Sequence, residues 1–136
     1  MPCQNRPMLP SCPFCSLAPE RFREGTRHSI RIDDAFPVSP GHALVIPRRH
    51  VQSFFDLRDD ERADLLDLLG RARATIQAER SPDGFNIGIN DGTAAGQTVM
   101  HLHVHLIPRY AGDRPNPRGG VRWIFPERAD YWSQRD

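Results

Sequence analysis

Gly96-Gln97-Thr98-Val99-Met100-His101-Leu102-His103-Val104-His105-Leu106-Ile107-Pro108-Arg109 carries a histidine at every second position from 101 to 105. Successive side chains of a β-strand point to opposite faces, so the pattern predicts one strand with His101, His103 and His105 on one face. Leu102, Val104 and Leu106 then share the other face and turn to the core. Residues two apart on a strand start about 6.6 Å from each other, which lets His103 and His105 address opposite sides of one phosphate-sized group. From the triplet alone three readings stand: imidazole chemistry, a metal site, and histidines that merely satisfy core hydrogen bonds. Gly96, Gln97 and Thr98 weigh toward the first, because they bring close backbone approach, an amide and a hydroxyl to one end of the strand, as an oxyanion requires.

Working outward, 136 residues fit one domain with its own core. A net charge of +1 argues against a dedicated nucleic-acid surface. All eighteen basic residues are arginine, which is attributed to coding bias rather than function. The sequence holds no apolar run long enough for a membrane span and no signal-peptide pattern, so a cytoplasmic protein is expected. Three cysteines in such a chain do not suggest a disulfide framework.

Residues 1–11 read as a loose leader. Cys12-Pro13-Phe14-Cys15 is a Cys-x-x-Cys pair, which alone means half a zinc site, a redox dithiol or an incidental pair. Residues 26–36 read as a strand running into a turn at Pro37, and His42-Ala43-Leu44-Val45-Ile46-Pro47 as a buried strand closed by proline. Residues 59–80 form the clearest predicted helix, with Leu65, Leu66, Leu69, Ala72 and Ile76 near one stripe and Asp59, Asp60 and Glu61 at its start. Phe85–Asn90 alternates, and Asp91-Gly92 predicts a hairpin back to the histidine strand, bringing Asn90 near Gln97 and Thr98. Beyond 110, glycine and proline argue for loop, while Val121-Arg122-Trp123-Ile124-Phe125 argues for a tail that docks on the domain or on a partner subunit. These elements indicate an α+β domain with a mainly antiparallel sheet.

The run Gly-Gln-Thr-Val-x-His-x-His-x-His-x-x-Pro-Arg closely resembles the active-site strand of the histidine triad nucleotide hydrolases, over roughly residues 12–110. The resemblance implies a five-stranded sheet with one long and one short helix, two copies of which pair into a continuous sheet as a homodimer. It implies a structural zinc held by Cys12, Cys15, His50 and His101, because many bacterial members join such a cysteine pair to these two histidines. It implies that His103 attacks an α-phosphate and that His105 donates to the phosphoryl oxygens or the leaving group. Asp34 then contacts the ribose, Ile32 walls the base, Asn90, Gly96, Gln97 and Thr98 surround the phosphate, and His42 supports the triad. The expected substrate is a small adenine nucleotide, either a dinucleoside polyphosphate or a nucleoside phosphoramidate, cleaved to release AMP; histidine rather than glutamine at 105 favours hydrolysis over transfer. A zinc-stabilised nucleotide-binding regulator without significant turnover is the alternative.

Overall fold

The computed structural model describes residues 12–134; the predicted leader, with Cys3, lies outside them. Five strands form one sheet in the order β1-β2-β3-β5-β4 with every pairing antiparallel: β1 Phe22–Gly25, β2 Ser29–Asp33, β3 Ala43–Pro47, β4 Gly84–Gly88 and β5 Val104–Arg109. The long helix α1, Asp59–Arg80, covers one face, and the short α2, Pro126–Ala129, lies in the tail. No helix among the described residues is long and apolar enough to cross a membrane.

α1 has the predicted bounds, but its buried stripe is Glu61, Leu65, Leu68, Ala72 and Ile76. Leu66, expected inside, is exposed. Glu61 enters the stripe because its charge is fully partnered. Its carboxylate accepts from Arg49 Nε at 2.9 Å, from Arg49 Nη2 at 2.7 Å and from the Arg58 backbone N–H at 2.9 Å, which also caps the helix. These guanidinium and amide donors hold its carboxyl down at about 2.

Against α1 pack Ala43, Val45, Val104 and Leu106, one face of the two central strands. On the opposite face Ile30, Ile32, Leu44 and Ile46 lie under Cys12, Phe14 and Cys15. Cross-strand register carries that second face to the histidines, because Ile32 pairs with Leu44 and Leu44 with His105.

Three sequence expectations shift. The strand expected over 26–36 is β2, preceded by β1, whose four residues carry too short a period to be read. The regular strand begins only at Val104, so His101, at a bend, and His103 stand on the segment before it. The reason is Pro47, which ends β3 and offers no N–H; its carbonyl is taken by the His101 ring, Nε2 to O at 2.9 Å. β4 and β5 are antiparallel neighbours as expected, yet Gly88 already faces His105. The connection is therefore a long loop rather than a tight hairpin. Within it Gly92 and Gly96 adopt positive φ, and Gly92 O accepts from Gln97 N at 3.1 Å.

Candidate active site and metal centre

His103 is nine-tenths buried, and its Nδ1 lies 2.9 Å from the backbone carbonyl of His101. A carbonyl only accepts, so Nδ1 carries the proton and Nε2 keeps its lone pair. Phe14 packs edge-on to this ring at 5.2 Å between centroids, fixing it from the other side.

His105 lies beside it, 5.2 Å between ring centroids. Its tautomer follows from its neighbours. The Val38 backbone N–H donates to His42 Nδ1 at 3.2 Å, so the His42 proton sits on Nε2. That Nε2–H points at His105 Nδ1, 3.0 Å away, with Asp34 Oδ2 at 3.3 Å on the flank. His105 accepts at Nδ1 and so presents an N–H at Nε2. The two rings thus differ where it matters: His103 offers a lone pair and His105 a donor. Burial holds His42 and His105 below the usual imidazole range, with Asp34 opposing in part, which keeps both rings neutral.

The remaining predicted binding residues divide. Gln97 is buried and its amide is wholly used inside the protein: Oε1 accepts from Gly92 N at 2.9 Å, and Nε2 donates to the carbonyls of Gln52 and Val99, each at 3.1 Å. It ties the loop and has no donor to spare for an anion. Gly96, Thr98 and Asn90 are exposed. Asp34 accepts from Phe36 N through Oδ1 at 2.9 Å and leans on His42 through Oδ2. Ile32 shares a sheet face with His105 but is wholly buried in the cluster that Phe14, Leu17, Phe22 and Val99 complete, so it cannot touch a base directly. Sequence reasoning missed Phe14 and Val38. Nothing in the Cys-x-x-Cys spacing reveals where its interior ring packs, and Val38 acts through its backbone.

Cys12, Cys15, His50 and His101 form a second, fully buried group whose ligand atoms all lie within 4.8 Å of one another. Cys12 Sγ is 3.5 Å and Cys15 Sγ 3.7 Å from His101 Nδ1; His50 Nδ1 is 3.2 Å from both Cys15 Sγ and His101 Nδ1. A tetrahedral zinc with ordinary Zn–S and Zn–N lengths needs ligand-to-ligand edges of roughly 3.3–3.8 Å. The cluster fits. His101 donates Nε2–H to Pro47 O, which turns the lone pair of Nδ1 inward, and burial pushes its pKa down to about 4. Four such donors would complete a tetrahedron and leave no open position, the arrangement of a structural rather than a reacting zinc.

With this geometry in hand, residues 22–112 match the family model described as HIT domain. A protein of Mycobacterium tuberculosis named AP-4-A phosphorylase is 44% identical over 115 residues, covering 80% of this chain and 59% of that protein. The Schizosaccharomyces pombe asymmetrical bis(5'-nucleosyl)-tetraphosphatase is 47% identical over 88 residues, covering 65% of this chain and 48% of its own length. The chain thus spans about half to three fifths of these two relatives. Among solved structures, a Zn-bound histidine triad family protein from Mycobacterium smegmatis superposes with a TM-score of 0.70 at 35% identity, over 78% of this chain and 80% of that one. The chain belongs to the histidine triad family.

Proposed function

We propose that the protein is a nucleotide hydrolase that cleaves a phosphoanhydride or phosphoramidate bond at the α-phosphate of an adenine nucleotide through a nucleotidyl-histidine intermediate. The observation that carries this reading is the paired tautomers, a lone pair at His103 Nε2 beside an N–H at His105 Nε2. His103 Nε2 attacks phosphorus, the bond to the leaving group breaks, and His105 Nε2–H bonds the phosphoryl oxygens or the leaving atom. A polyphosphate departs as the anion and needs no proton, whereas an amine takes the His105 Nε2 proton as it leaves and the attacking water later restores it. Water then attacks phosphorus, the P–N bond breaks, AMP is released, and its extra proton passes to solvent. His103 regains its starting tautomer because His101 O holds Nδ1–H throughout. Exposed Thr98 and Asn90 are the side chains available to phosphate and ribose, with Asp34 at the rim; Gly96 gives backbone approach, and Gln97 acts by holding the loop. The names of the relatives, which concern dinucleoside tetraphosphates, agree with this substrate class.

Zinc is the proposed occupant of the Cys12, Cys15, His50 and His101 group, and when bound it would crosslink the N-terminal segment to the strand-entry segment. His101 is then a ligand and takes no part in proton transfer.

The test is mass spectrometry of intact protein after a brief pulse with an adenylate ester. An added adenylyl mass that maps to His103 and disappears in His103→Ala is expected. AMP binding without any adduct or turnover would instead identify a binding protein.

A further inference from the structure

The family match ends at residue 112, yet the tail beyond it helps to enclose a cavity of about 850 Å3. Its floor is Ile107 and Asn86 on the sheet face that carries His105, two positions along β5 and one strand over. Val38, whose backbone N–H fixes His42, forms one wall, so the cavity adjoins the histidine cluster. The other walls are the rings of Tyr110, Trp123 and Trp132. Asn86 Oδ1 accepts from Arg109 Nη1 at 2.7 Å, which leaves its Nδ2 as a donor. A Cβ at Gly120 would stand 3.3 Å from that Nδ2, so the glycine keeps the space over it open. Arg114, exposed at the rim, has no ion-pair partner among the described residues.

We infer that this cavity is the subsite for the nucleoside of the leaving group, and that the substrate is therefore a dinucleoside polyphosphate rather than a phosphoramidate. The inference rests on the hydrolase reading above. Aromatic walls with a few placed polar groups, at this volume, are what a nucleoside-sized ligand needs. Stacked rings take a purine base, the Asn86 amide donates to its edge, and the Arg114 guanidinium meets the polyphosphate that bridges to His103. The small amine of a phosphoramidate would leave nearly all of the cavity unfilled.

Both tryptophans of the chain line this cavity, so their fluorescence reports its occupancy directly. Methylene-bridged diadenosine tetraphosphate should quench it at concentrations at least 10-fold below those AMP requires. Trp123→Ala should raise KM for diadenosine tetraphosphate roughly 10-fold or more, the effect of losing one base–aromatic stack, and change kcat/KM for adenosine phosphoramidate less than twofold. Should Trp123→Ala fold poorly, Arg114→Gln tests the same split from the rim. Equal losses on both substrates, or no quenching by the bridged analogue, would overturn the subsite. Saturable quenching with no turnover of either substrate would overturn the hydrolase reading and leave the subsite standing.

Discussion

The backbone carbonyl of His101 accepts the Nδ1–H of His103 at 2.9 Å, while the side chain of His101 stands in the buried cysteine–histidine group. One residue therefore belongs to both centres, through its ring to the metal group and through its peptide to the proposed nucleophile.

Removing a ligand should loosen both. Cys12→Ser is expected to lower bound zinc well below one equivalent and to cost several kcal/mol, since metal-binding energy is folding energy in such a site. Metal analysis alongside thermal denaturation checks it; full zinc content with unchanged melting would count against the assignment.

His42→Ala removes the N–H that sets the His105 tautomer and strands the Val38 N–H. Turnover is expected to fall about 10- to 100-fold as His105 loses its fixed donor, with a stability cost of about 1–3 kcal/mol. Steady-state rates and denaturant unfolding separate the two effects. Unchanged turnover would remove His42 from any supporting role.

Stability should decline on the acid side. Burial holds His42 and His105 below the ordinary imidazole range in the folded chain, whereas in the unfolded chain they take up protons near pH 6.5. The unfolded state thus binds more protons as pH falls, so this stability is complete above about 6.5 and is lost progressively below it. Urea midpoints between about pH 7.5 and 5.5 measure the slope, which should be shallower in His42→Ala.

Glu61→Gln leaves Arg49 without its two-point carboxylate and weakens the cap on Arg58. A cost of about 3 kcal/mol is expected at neutral pH, in keeping with a carboxyl held at about 2 instead of its usual 4.5. The wild-type advantage should persist down to about pH 4.5 and vanish as pH falls toward 2. An equal gap at pH 7 and pH 2.5 would point to packing instead.

Much of the fold was legible because its signals are local. α1 declares itself by period and by its acidic start, β3 by an apolar run closed at Pro47, and β5 by alternation. The face of α1 was misjudged at Leu66 and Glu61, because an acidic residue enters a core only when a distant arginine, here Arg49, arrives to neutralise it. Ile32 was expected to wall the base by resemblance alone, and the burial imposed by Phe14 and Phe22 depends on chain that folds over it. Gln97 looked like an anion grip because an amide beside glycine has that chemistry; its real partners, Gly92, Gln52 and Val99, emerge only when the loop closes.

The alternation of His101, His103 and His105 determined by itself the residue types of the site and the strand that ends in it, since side-chain direction along an extended chain is a property of the backbone alone. Which nitrogen of each ring carries a proton was decided only by tertiary structure. The groups that choose, the His101 carbonyl for His103, the Val38 amide for His42 and the His42 ring for His105, come together through bends and strand pairing that no local pattern encodes.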